Sequence, residues 1–183
     1  MRPAQEGLIQ DQEPTPNLND DDEAIRQYHE GGHLDELVEA VPGWRVGQAL
    51  LTLRSQINQM APDRDRKSDG TIGDASHRTR DSDHNPWVAD GNLGIVTAMD
   101  ITHDPAGGCS AERLADALRA GRDKRVKYVI WNRRIMNTQS IDGAAPWEWR
   151  AYSGHNPHDK HLHISILPDK GLYDSTAAWN LMV

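Results

Sequence analysis

The sequence predicts an α+β fold: a small, mostly antiparallel sheet with flanking helices and long loops. Three observations carry that prediction. Apolar residues recur at helical spacing in two separate stretches, Val46 to Met60 and the segment AERLADALRA after Ser110. Residues His161 to Leu167 alternate with period two instead. The run VKYVIW, Val126 to Trp131, reads as a buried strand, with Arg134-Ile135-Met136 as its partner across Asn132-Arg133. Helices segregated from a small sheet give an α+β domain.

Each element follows in chain order. Residues 1 to 22 are polar, proline-punctuated and aperiodic, and read as an extended arm or linker. Residues 23 to 40 form a short acidic helix, interrupted at His29-Glu30-Gly31-Gly32-His33. That interruption matches the H-E-x-x-H metal motif in letters. The motif needs a continuous helix, and each central glycine costs about 1 kcal/mol relative to Ala. We read it as a helix with a glycine break. From Trp44, the positions Val46, Leu50, Leu53, Ile57 and Met60 make an amphipathic helix that ends at Pro62. Residues 62 to 94 are rich in Asp, Arg, Ser, Gly and Asn and read as one long loop, a feature more often functional than filler. The β-branched run Ile95 to Ile101 reads as a strand, followed by a turn at Asp104 to Gly108. Ser110 caps the second helix, whose core face is Leu114, Ala117 and Leu118 and whose C-cap is Gly121. Trp147, Trp149 and Tyr152 suggest a further strand or an aromatic wall, and Leu172, Trp179, Leu181 and Met182 dock the tail on the core.

Composition divides the chain and removes several function classes. With 183 residues, six Trp and no Phe, it supports one domain with a modest core. The net charge of −8 is uneven: residues 1–43 hold eleven acids against Arg2 and Arg26, so that segment carries −9 and the remainder +1. The expected division is therefore an acidic arm over 1–43 and a catalytic domain over 44–183. Neither part offers the strongly basic face that nucleic acid requires. No signal peptide and no transmembrane run is found, so a membrane role is not expected. The single Cys109 excludes an intramolecular disulfide framework and a thiolate zinc knuckle.

The chemistry gathers in two stretches. Ser82 to Asp104 offers His84 and then Asp100, one carboxylate inside an apolar strand, where an unpaired charge is costly to bury. In the second stretch, His161, His163 and Ser165 share one strand face, and Leu162, Ile164 and Ile166 share the other. His84, Asp100 and His163 supply two imidazoles and a carboxylate, the ligand set of hydrolytic zinc sites that keep one position open. The predicted cofactor is Zn²⁺, in a cleft between the long loops. His161 is the candidate base. His158, Arg78 and Arg80 are candidates for stabilising an oxyanion or holding a substrate carboxylate. The other histidines, His77, His103 and His155, read as loop residues.

Ser82-Asp83-His84, Ala98-Met99-Asp100-Ile101 and His161-Leu162-His163-Ile164 together resemble the motif set of the M15-type zinc peptidases. These include D-alanyl-D-alanine carboxypeptidases and L-alanyl-D-glutamate endopeptidases that cut peptidoglycan stem peptides. The strings SDGTIGDASHRTRDSDHNP, DITHDP and VKYVIWNRRI resemble a phage-encoded branch. The resemblance covers roughly residues 44 to 167. It implies that His84, Asp100 and His163 ligate zinc and that His161 stands at the base position. The fifteen residues between His84 and Asp100 exceed the family's usual spacing, so a loop from Trp87 to Gly94 is expected to bulge out. The base position is often Glu in the family, and a His there resembles the murein-endopeptidase branch.

The implied activity is hydrolysis of peptidoglycan peptides or cross-links by an endolysin or a virion-associated lysin. Such a protein would reside in the host cytoplasm before release, or in the virion, and act at the cell wall. The acidic arm is then a docking segment for a phage virion protein. Two alternatives are a non-catalytic zinc-containing structural or wall-binding module, and a metal-dependent nuclease. The second rests on a loose similarity of Asp83-His84-Asn85-Pro86, Asn92 and His103 to an HNH set.

Overall fold

The computed structural model describes residues 43–71 and 82–181. The acidic arm, His29 and His33, His77, Arg78, Arg80 and Met182 lie outside the described residues. Among the described residues the fold is α+β, as the sequence predicts, with a five-stranded antiparallel sheet, a smaller mixed sheet and three helices. No described helix is long and apolar enough to cross a membrane.

The small sheet has the order β1-β3-β2, from β1 (Gly43–Val46), β2 (Val88–Asp90) and β3 (Leu93–Val96). β1 runs parallel to β3 and β2 antiparallel to it. The larger sheet has the order β4-β8-β5-β6-β7, from β4 (Ala98–Thr102), β5 (Val126–Trp131), β6 (Arg134–Asn137), β7 (Arg150–Ala151) and β8 (His161–Ile166). The last strand in sequence therefore occupies an interior place.

Two helices cover one face. α1 (Gln48–Met60) buries Leu50, Leu53 and Ile57, and α2 (Ala111–Gly121) buries Leu114 and Leu118. They meet Met99, Ile101, Val129, Trp131, Met136, Leu162, Ile164 and Ile166 in one continuous core that Trp179 and Leu181 close. Burying each such aliphatic side chain contributes about 1.5–3 kcal/mol. A short α3 (Lys170–Tyr173) follows the last strand and buries Tyr173. A second, small cluster of Tyr128, Ile130, Ile135 and Tyr152 packs separately.

Five details differ from the sequence reading. The first helix starts at Gln48, not Trp44, because Gly43–Val46 pairs with Leu93–Val96 as a strand. The run Ile95 to Ile101 is two strands rather than one. Thr97 breaks it, since its N–H donates to the Asp83 carbonyl and its own carbonyl accepts from Ile166. The loop over 62–94 contains a hairpin: Val88–Asp90 and Leu93–Val96 pair across Gly91, whose φ is +61°. It accommodates the residues expected to bulge. The second helix ends on Arg122 in the left-handed region, not on Gly121 as its C-cap, while Ser110 accepts from Arg113 N–H as anticipated. Of the Trp147 to Tyr152 segment only Arg150–Ala151 enters the sheet.

Candidate metal centre

Sheet register brings the site together. Asp100 on β4 lies directly opposite His163 on β8, and Thr102 opposite His161. Antiparallel pairing places such facing side chains within reach of each other, and period two carries His161 and His163 to the same side. His84 arrives from the turn after Ser82. The carbonyl of the neighbouring Asp83 accepts from Thr97 N–H, which ties that turn to the start of β4.

Three ligand-type atoms converge. His84 Nε2 and His163 Nδ1 are 3.1 Å apart, His163 Nδ1 and Asp100 Oδ1 are 3.1 Å apart, and His84 Nε2 and Asp100 Oδ1 are 3.4 Å apart. Tetrahedral zinc with ligand bonds near 2.0–2.1 Å has ligand-to-ligand edges of about 3.3 Å. The triangle has the size of one face of that tetrahedron.

The outer nitrogens support the same reading. His84 Nδ1 is 3.0 Å from the Thr71 carbonyl, which can only accept, so Nδ1 carries the proton and Nε2 turns a lone pair inward in the neutral ring. His163 Nε2 is 3.0 Å from Ser165 Oγ, leaving Nδ1 toward the cluster. Metal-ligating histidines are ordinarily oriented in this way by a partner on the far nitrogen. Inward lone pairs facing a carboxylate repel unless a cation or a proton lies between them. The chain's residues fit a metal ion.

Comparison with family models, with curated proteins and with solved structures finds no match. The geometry alone identifies His84, Asp100 and His163 as a group able to hold a metal ion.

The electrostatics agree with a cation-seeking site. Burial alone would raise the Asp100 carboxyl, but hydrogen bonds and charge from His163 and His84 outweigh it and hold the group well below the usual carboxylate range. Burial would likewise lower His84, yet the Asp100 carboxylate prevails and raises it. His161 goes the other way. Burial, helped by the nearby imidazoles and opposed by Asp100, lowers it, which favours the neutral ring.

The open side is the side of Asp100 and His161, whose side chains are 20% and 16% exposed against 7% for His163. His161 Nε2 is 3.8 Å from Asp100 Oδ2, buried, and without a hydrogen-bond partner. His158 is buried beside both strand histidines, with ring centroids 5.1 Å from His161 and 5.5 Å from His163. Its Nδ1 lies 2.8 Å from the Asn156 carbonyl, so the neutral ring presents Nε2 as an acceptor.

The remaining candidates fall elsewhere. Arg78 and Arg80 lie outside the described residues. Asp83, a neighbouring carboxylate, is fully buried and bound at 2.9 and 3.0 Å to Lys127, which is equally buried. Asp104 caps the backbone of Asp65 and Gly107. His103 accepts from Ala111 N–H and packs on Trp131, Asn92 is exposed, and His155 is exposed.

The supporting layer was not read from the sequence. The Arg64 guanidinium grips Asp69, which accepts from Thr102 N–H and Oγ1 and so lays residues 68–71 along β4. Gly70 then bridges Asp100, and Thr71 is brought to His84. Tyr128 stacks on His163 at 5.4 Å between centroids. A backbone carbonyl carries no sequence signal. The buried Lys127, inside an otherwise apolar strand, was the one visible hint.

Proposed function

We propose that the protein is a zinc-dependent peptidase that hydrolyses peptidoglycan stem peptides or cross-links, acting as a phage endolysin or virion-associated lysin. The observation that carries this reading is the ligand triangle beside His161, whose Nε2 makes no hydrogen bond. The motif resemblance supplies the substrate class. His84, Asp100 and His163 would hold the ion. When bound, zinc supplies Lewis-acid polarisation of a water molecule and of the scissile carbonyl.

The rest falls to the chain. His161 Nε2, on the open side, accepts the proton from the attacking water and returns it to the leaving amine. Asp100 stays ionised and fixes the ion's position. Ser165 and the Thr71 carbonyl hold the two imidazole ligands in orientation. His158 packs behind His161 and limits its rotation. Arg78 and Arg80 remain candidates for the substrate carboxylate, and residues 1–43 for a docking arm on a virion partner, with residues 44–183 as the catalytic domain.

Defined muropeptides incubated with the zinc-loaded protein, with products read by mass spectrometry, test this. Cleavage at one peptide bond is expected. Intact muropeptides together with stoichiometric zinc would replace the peptidase with a non-catalytic wall-binding module, and magnesium-dependent cutting of plasmid DNA would replace it with a nuclease. At one equivalent of zinc, His163→Ala should lose metal and turnover together. His161→Ala should keep its metal while turnover falls about 10²–10⁴-fold. Equal metal loss in both variants would remove His161 from the base role.

A further inference from the structure

Asp100 has two carboxylate oxygens, and they face different partners. Oδ1 belongs to the triangle with His84 and His163. Oδ2 faces His161 Nε2. A second group, Asp100, His158 and His161, also has its ligand-type atoms within 4.8 Å of one another. From these observations we infer that Asp100 is shared by two cation positions, the second formed by Oδ2, His158 and His161 and taking a divalent ion of the zinc class. This rests on the reading of His84, Asp100 and His163 as a metal centre and goes beyond it.

Four features support a second position. His161 Nε2 is a buried nitrogen without a hydrogen-bond partner, an arrangement that costs free energy unless something fills it. His158 is prepared as a ligand. Its Nδ1–H is spent on the Asn156 carbonyl, the far-side hydrogen bond that orients metal-binding imidazoles. Its backbone is held at φ +50°, a conformation unfavourable for a non-glycine residue. The cost is maintained by three contacts: Asn156 Oδ1 accepts from His158 N–H, and the His158 and Pro157 carbonyls accept from Asn132 and Arg133 at the β5–β6 turn. The donor set, two imidazoles and a carboxylate oxygen, repeats that of the first position and suits the same metals. A carboxylate between two ions a few ångströms apart is the usual bridge of two-metal hydrolytic sites.

The two positions are not equivalent. Both imidazoles of the first have a far-side partner, Thr71 and Ser165, whereas in the second one is seen for His158 alone among the described residues. The second ion therefore binds more weakly. Its binding uses the lone pair of His161 Nε2, so a chain with both positions filled has no base at His161. The second position is in that sense inhibitory.

The test counts metal. Full-length protein freed of metal by a chelator is titrated with Co²⁺, followed by visible absorption, electron paramagnetic resonance and elemental analysis after dialysis. The expected result is two ions per chain in two steps, with the first ion's resonance diminished during the second step through the shared carboxylate. His158→Ala and His161→Gln should each lose the second step and keep the first, with circular dichroism confirming the fold. One ion per chain in the wild type would overturn the inference, as would two ions that persist in both variants. Hydrolysis is not read here, so failure of the peptidase reading leaves the metal count standing.

Discussion

β8 has two faces that obey different physics. On one, Leu162, Ile164 and Ile166 are fully buried against α1 and α2 and gain stability from area alone. On the other, His161, His163 and Ser165 are also largely buried, yet area does not favour them. Their burial is compensated atom by atom, as where His163 meets Asp100 Oδ1 and Ser165 Oγ. The apolar face tolerates approximate shape. The polar face depends on single lone pairs, so changes on the first should appear as melting temperature and changes on the second as metal affinity.

That contrast can be broken, most severely at Lys127. Lys127→Met leaves Asp83 buried without its cation and should cost about 3–5 kcal/mol, read by urea unfolding. Because Asp83 adjoins His84, metal affinity should fall too, joining the two readouts that the faces otherwise keep apart. Unchanged stability would mean that the pair is replaceable. Leu162→Ala sharpens the contrast: an expected loss of about 2–5 kcal/mol, with zinc stoichiometry of the folded protein intact. Ser165→Ala is its mirror image on the same strand. It should weaken zinc about 10–100-fold by freeing the far nitrogen of His163, while stability moves little. Zinc titration by calorimetry distinguishes it from Leu162→Ala. Among the changes read by stability, a smaller loss is expected at Gly94→Ala, where an added Cβ meets the Pro86 carbonyl and lies 2.7 Å from Pro86 Cβ. Overpacking there should cost about 1–3 kcal/mol, visible as a lower melting temperature. It should also shift His84, two residues before Pro86.

How much of this was legible follows the same division. The face assignments of β8 were readable because period two is a local property of six consecutive residues. Asp100 was readable because one carboxylate in an apolar run demands a partner. The switch at Thr97 was not, since Val96-Thr97-Ala98 is as strand-like in composition as its neighbours and only the hydrogen bonds to Asp83 and Ile166 reveal it. Val46 satisfied a helical spacing by coincidence, and its pairing with Val96 on a distant strand overrode the pattern. Lys127 and Asp83 lie 44 positions apart, so nothing local announces that each neutralises the other. The second position at His158 was read as a donor until the Asn156 carbonyl showed which nitrogen holds the proton.

The interior place of β8 governs when, during synthesis, the centre comes into being. β4 and β5 are not paired with each other; β4 pairs with β8 alone, β5 with β8 and β6, and β8 is made last of these strands. Until β8 is made, β4 has no strand to pair with, whereas β5 and β6 can pair with each other. His84 and Asp100 are then present without His163. The strand that joins β4 to β5 is also the strand that carries His163, so the sheet and the ligand set close together.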